Sequence, residues 1–155
     1  MKLIVTGGAG FIGSALIRHL IENTEHEILN YDALTYSGNL SSLTSIAQSE
    51  RYTFVEGDIC DERLFLEVLR EFNPKKVINL AAESHVDRSI DNPIPFINTN
   101  IFGTANLLKN TNQYYISLNS ESKKDFIFHH VSTDEVYGDI PMSIPPCDET
   151  YAYQP

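Results

Sequence analysis

The sequence predicts an α/β protein: an open parallel sheet with helices packed on both faces. Three observations carry that prediction. Short β-branched runs alternate with longer segments whose apolar residues recur at helical spacing. The order reads βαβ(α)βαβαβ as far as residue 131, and repeated right-handed crossovers of this kind cover both faces of a parallel sheet. A glycine cluster, Gly7-Gly8-Ala9-Gly10-Phe11-Ile12-Gly13, stands at the first strand–helix junction.

Each element has its own local signal. Lys2–Thr6 is a β-branched run that stops at glycine. From Phe11 the period becomes helical, and Phe11, Ile12, Ala15, Leu16 and Leu20 are expected to share the buried face, with Arg18 and Glu22 turned away. Residues 27–31 make the second strand, ending at Asp32. The stretch 37–49, rich in Ser, Thr and Asn, reads as a loop-like connection holding a short helix.

Tyr52–Glu56 is the third strand. Asp61 then caps a helix with the apolar stripe Leu64, Phe65, Val68, Leu69 and Phe72, which Asn73-Pro74 ends. Residues 76–80 form the fourth strand. Asn92-Pro93 looks like a helix start, and that helix is expected to run to about Leu118. Residues 125–131 give the fifth strand. The tail 138–155 holds four prolines and no clear regular element, so residues 1–155 read as an incomplete dinucleotide-binding domain without the substrate domain.

Composition narrows the function. The 155 residues are 42% hydrophobic, enough for a real core. Lys and Arg number 11 against 21 Asp and Glu, a formal charge of -10 that repels phosphate backbones and argues against a nucleic-acid partner. The two isolated cysteines, Cys60 and Cys147, suit a reducing compartment and form no metal-ligand pattern. The N-terminus lacks signal-peptide features and no apolar run reaches membrane-spanning length, so a cytoplasmic location and no membrane partner are expected.

The glycine cluster lies in the strand–turn–helix context that a Rossmann-type phosphate site requires. Gly7 allows the tight turn, Gly10 lets a pyrophosphate approach the backbone, and Gly13 permits close packing of helix on sheet. With Phe11 and Ile12 they open a helix whose free N–H groups favour a diphosphate. Asp32, 19 residues after Gly13, can accept from both ribose hydroxyls and would repel the extra phosphate of NADP. No Lys or Arg stands in residues 31–35, so NAD is the expected cofactor. Asp58 and Ile59 after strand three, Leu80, Ala81 and Ala82 at the end of strand four, and Thr99 on the following helix complete the candidate cofactor site. Asp58 could instead only cap its turn.

Ser132-Thr133-Asp134-Glu135-Val136-Tyr137-Gly138 follows the fifth strand, at the sheet edge where open α/β folds bind ligands. Adjacent carboxylates repel, which can supply an acid and a base side by side; two solvated loop acids are the alternative. Ser84 and His85, after strand four on the same edge, are candidate substrate contacts. His85 and Arg88 could hold an anion, or His85 could pair with Asp87. Thr99 and Asn100 interrupt an otherwise apolar helix, where buried polar groups need partners.

The segments Thr6 to Gly13 (TGGAGFIG), Tyr31 to Leu43, Glu56 to Asp61, Asn79 to Ile90 (NLAAESHVDRSI), Phe96 to Thr104 and Ser132 to Asp139 (STDEVYGD) closely resemble the dTDP-glucose 4,6-dehydratases. These are extended short-chain dehydrogenase/reductases acting on nucleotide sugars. The resemblance implies oxidation of the sugar at C4 by NAD+, loss of water across C5–C6 and hydride return to C6. It implies that Glu135 is the C5 base, Asp134 the acid assisting water loss, and Thr133 the hydroxyl on the C4 oxygen and a substrate contact. A homodimer of the full-length enzyme is implied too, with the helix from Asn92 as a candidate contributor. One departure stands: no Tyr in residues 1–155 has Lys four positions later, as the family's Tyr-x-x-x-Lys pair requires, so these residues alone are expected to be inactive. A related epimerase, decarboxylase or other dehydratase, and a non-catalytic NAD-binding module, are the alternatives.

Overall fold

The strand that begins at Lys2 becomes the middle of the molecule, because both of its faces are apolar and both of its edges are paired. In the computed structural model, which describes residues 1–143 and 145–155, β1 (Lys2–Thr6) is flanked by β2 (Glu27–Asp32) and β4 (Lys76–Asn79). With β3 (Tyr52–Glu56) and β5 (Ile127–His130) they form an all-parallel sheet in the order β3-β2-β1-β4-β5. This is the expected Rossmann-type doubly wound arrangement.

Strand alternation divides the core in two. Leu3, Val5 and Ile28 face α1 (Phe11–Asn23), where Ile17 and Ile21 meet them together with Leu43 and Ile46. Ile4, Leu29, Tyr31 and Val77 face the opposite layer, built from α2 (Glu62–Phe72) and α5 (Thr104–Ser117). Asp61 caps α2 as expected, its Oδ1 accepting from Leu64 N–H at 3.0 Å, and Asn73 ends it in the left-handed conformation. Phe65, Val68 and Leu69 are buried, with Leu64 and Phe72 packed beside them.

Two expectations need correction. The buried face of α1 is Gly13, Ser14, Ile17 and Ile21, whereas Phe11 and Ile12 are 94% and 65% exposed and Ala15 also faces out. Close packing fixes the helix phase: a Cβ on Gly13 would run into the carbonyl of Gly7, so the Gly13 face must lie on the glycine turn. The expected helix from Asn92 is also not uniform. A short α3 (Val86–Asp91) precedes it, and α4 (Ile94–Phe96) passes through a π-helical stretch (Ile97–Gly103) into α5. The wide turn places Asn100 against the loop after β4 and lays Gly103 on Ile59. A short α6 (Ser120–Asp125) precedes β5, which is shorter than expected at both ends. In the tail 138–155 Ile144 lies outside the described residues, and the others form turns and extended chain.

Buried tyrosines give the fold an alkaline limit. Burial pushes the phenols of Tyr31, Tyr52 and Tyr114 up; Tyr31 feels the acids Asp61 and Asp58 as well. The unfolded chain therefore loses these protons first, and folded stability falls as pH rises past about 10, where a free tyrosine ionises. Urea titrations between pH 8 and 11 should show that fall, and Tyr31→Phe should make it shallower. An unchanged slope in the Phe variant would contradict the assignment.

Candidate functional site

The glycine turn brings three backbone segments into contact at the C-terminal edge of β1. Gly7 has φ +70°, and a Cβ there would lie 2.7–2.8 Å from the backbone of Leu80 and Ala81, so only glycine fits. Gly10 differs: its φ is ordinary, and a Cβ there would meet only the Gly7 carbonyl, at 3.2 Å. It borders a cleft of about 110 Å³. Ser14 N–H closes the first turn of α1 on the Gly10 carbonyl at 2.9 Å, so the N–H groups of Phe11, Ile12 and Gly13 precede the first helical bond. No side chain caps this end. Those donors and the helix dipole are suited to a diphosphate.

Asp32 closes the other side of the cleft. It is only 9% exposed, and its Oδ2 accepts from Ala9 N–H and its Oδ1 from Leu34 N–H, both at 2.8 Å. The second bond holds Leu34 at φ +48°, a strained conformation for a branched side chain. Each carboxylate oxygen keeps a second lone pair for a ribose hydroxyl. Among the described residues lining this cleft there is no Lys or Arg. Asp58 caps its turn, Oδ1 accepting from Cys60 N–H at 2.8 Å, and also lines the cleft with Ile59, Leu80, Ala81, Ala82 and Thr99. This donor set and unobstructed Gly10 face fit NAD. The side chains of Phe11 and Ile12 are not in the cleft wall, so at residues 11–13 only backbone N–H groups are available to a ligand.

A second, larger cleft of about 520 Å³ joins the first at Ala81, Ala82 and Glu83. Ser84, Thr133, Asp134 and Glu135 all line it. The acids stand on a 3-10 turn (Asp134–Tyr137) that the tail braces: Gln154 N–H donates to the Val136 carbonyl at 3.0 Å, and the Tyr151 ring stacks edge-on against Tyr137 at 6.0 Å. His85 is the expected contact that the fold does not bring in; it is exposed at the start of α3, outside both cleft walls and without a bond to Asp87 among the described residues. Arg88 instead stacks on the ring of Tyr36, 3.8 Å from its centroid. Asn100 holds the Glu83 backbone, accepting from its N–H at 2.9 Å and donating to its carbonyl at 2.8 Å.

One network, buried at Thr6 and Asn79 and open to the second cleft at His130, was not anticipated. Asn79 Oδ1 accepts from the Thr6 hydroxyl at 2.5 Å and from Ala81 N–H at 3.2 Å, while its Nδ2 lies 2.9 Å from His130 Nδ1. With the amide oxygen already occupied, Nδ2 donates to His130, which leaves the imidazole proton on Nε2. His130 lines the second cleft, so three strand ends are tied together beneath the acid pair. An asparagine closing an apolar strand was the available signal, because a buried amide needs partners.

The comparisons agree with this geometry. The chain is 52% identical to the dTDP-glucose 4,6-dehydratase of Shigella flexneri, an alignment covering all of this chain and 45% of that protein. It superimposes on a dTDP-glucose 4,6-dehydratase from Streptomyces venezuelae, solved with NAD and TYD bound, with TM-score 0.85 and 38% identity, covering 100% of this chain and 46% of that one. A UDP-glucose 4-epimerase from Thermotoga maritima, solved with UDP-glucose, gives TM-score 0.80 and 31% identity over 100% of this chain and 45% of that one. The chain thus spans less than half the length of these relatives. The family model described as GDP-mannose 4,6 dehydratase matches residues 4–155, and the chain belongs to that family.

Proposed function

We propose that these residues are the cofactor-binding domain of an NAD-dependent lyase that converts dTDP-glucose to dTDP-4-dehydro-6-deoxyglucose. The observation that carries the reading is the pair Asp134 and Glu135, which follows Thr133 at the end of β5 in a cleft continuous with the dinucleotide site. When bound, NAD+ would supply the hydride acceptor for C4 and, once reduced, the hydride for C6, while the C4 hydroxyl proton would go to the tyrosine of the Tyr-x-x-x-Lys pair that residues 1–155 lack. Glu135 takes the C5 proton, which the adjacent C4 ketone has made acidic, and gives a proton back to C5 as hydride reaches C6. Asp134 gives a proton to the departing C6 hydroxyl, and the Thr133 hydroxyl bonds the C4 oxygen. Identity to the Shigella and Streptomyces enzymes supports the substrate assignment, and the adjacent acids favour dehydration over simple epimerisation.

Protein carrying the sequence beyond Pro155 should form a 4-keto-6-deoxy sugar from dTDP-glucose, detected by its absorbance in alkali. Formation of a C4 epimer without loss of water would replace this reading with an epimerase. Residues 1–155 alone should give no turnover, for want of a Tyr-x-x-x-Lys pair.

Gly10→Val tests the cofactor half separately. Its side chain would enter the open side of the cleft and weaken NAD+ binding at least about tenfold, roughly 1.4 kcal/mol. The melting temperature without cofactor should fall modestly, because the new Cβ comes within 3.2 Å of the Gly7 carbonyl, and NAD+ titration by calorimetry with undiminished affinity would contradict the site.

The same reading includes assembly as a homodimer and a cytoplasmic location. Exposed Ile94, Ile101, Phe102, Leu108 and Ile116 along residues 94–117 support association with a second copy, which ultracentrifugation would measure. Free Cys60 and Cys147 support a reducing compartment. Among the described residues no helix is long and apolar enough to cross a membrane.

A further inference from the structure

Tyr36, Glu83 and Arg88 have no part in the chemistry above, yet they connect the two walls of the dinucleotide cleft. One wall is the loop after β2, whose Asp32, Thr35, Ser37 and Gly38 face the cleft. The other is the loop after β4, ending at Glu83. The Tyr36 hydroxyl donates to Glu83 Oε2 at 3.0 Å, and the Arg88 guanidinium covers the Tyr36 ring at 3.8 Å. Both ends are anchored. Asn100 grips Glu83 by two backbone bonds, and Asn39 N–H donates to the Ala9 carbonyl at 2.9 Å, fixing the base of the Tyr36 loop. Desolvation and the Glu83 carboxylate hold the Tyr36 phenol above its ordinary range. Tyr36 is 54% exposed and is not itself part of the cleft wall, so its contacts join the two walls from outside.

We propose that Tyr36, Glu83 and Arg88 form a clasp across the cleft that gates entry and release of the dinucleotide. The proposal rests on the NAD reading above. A dinucleotide running from Asp32 to the acid pair must pass over the glycine turn and Ala81-Ala82, which together line the cleft between the joined walls. The clasp is made of this chain's own groups, so it must open for entry as for exit. A gate therefore slows both rates and leaves affinity nearly unchanged, whereas an ordinary contact residue slows release only. The reaction regenerates its cofactor in every cycle, so slow exchange costs it no turnover.

The test measures NAD+ exchange on the complete protein, by chasing bound radiolabelled NAD+ with unlabelled NAD+ and by stopped-flow association. Tyr36→Ala, which loses a charge-assisted hydrogen bond and a cation–π contact, should speed both association and release about tenfold, and Arg88→Ala, which loses the cation–π contact alone, about threefold, with Kd within about threefold in each. Tyr36→Phe keeps the stacked ring and should fall between. Arg88→Lys, which keeps charge but loses the planar face, should recover part of the effect. Melting temperatures without cofactor should stay close to wild type. Unchanged exchange rates overturn the clasp, as does faster release at an unchanged association rate. Faster exchange matched by a parallel fall in melting temperature assigns the three residues to structure alone. A wild-type protein that takes up no NAD+ overturns the cofactor reading itself, and is recognised before any variant is made.

Discussion

In a protein that also carries the substrate domain, and on the proposed reading, Glu135→Gln is expected to lower sugar dehydration by about 10²–10⁴-fold, the usual contribution of a positioned general base. The amide keeps the size of the side chain and removes its ability to take the C5 proton. Glu135 is exposed on the cleft side of a braced turn, so the fold should not notice the change. Asp134→Asn should be comparably slow for a different reason, since the departing hydroxyl loses its proton donor. Solvent deuterium separates the two. In heavy water the Asn variant should still exchange the C5 hydrogen of the sugar while failing to expel water, and the Gln variant should do neither. Wild-type turnover in the Gln variant would remove Glu135 from the chemistry. NAD+ affinity should be retained in both, because the two acids stand outside the wall of the dinucleotide cleft.

The second large effect lies in the core. Phe65→Ala should destabilise the protein by about 3–5 kcal/mol, the range for truncating a fully buried phenylalanine. Phe65 is 0% exposed and meets the Tyr31 ring edge-on at 5.3 Å. Tyr31 in turn packs on Gly57, and its hydroxyl donates to the Asp58 carbonyl at 2.9 Å, so the ring supports the floor of the dinucleotide cleft. The loss should therefore appear twice: in urea denaturation, and as weaker NAD+ binding under conditions where the variant is still folded. Arg63→Ala on the same helix is the control. Its ion pair with Glu67 is solvent-exposed, and little change in stability is expected. Equal effects for the two variants would mean that Phe65 is not seated as described.

Much of this was legible in the sequence because the signals were local. The glycine turn announces Gly7 and Gly13 through backbone geometry, Asp32 stands where a strand must end, and α2 carries its cap and stripe within a dozen residues. The acid pair could be placed at the sheet edge from strand order alone. What escaped depended on distant partners. The phase of α1 is dictated by where Gly13 must touch the turn, so the apolar Phe11 and Ile12 mislead a reading by periodicity. The Thr6–Asn79–His130 network joins residues 73 and 51 positions apart. His85 and Arg88 share a polar run after β4, and only the fold shows Arg88 on Tyr36 and His85 away from both clefts. The π-helical stretch has no marker in the sequence that we recognise.

The strand order has a consequence for how the protein is made. Each strand, as it leaves the ribosome, joins a free edge of what has already been synthesised: β2 beside β1, β3 beside β2, then β4 on the far side of β1 and β5 beside β4. No finished pair has to be prised apart to admit a later strand. Until residue 79 has emerged, the far edge of β1 has no partner, and the nascent chain carries an open apolar seam through its future centre. That interval, rather than the completed fold, is when this chain has most need of a chaperone.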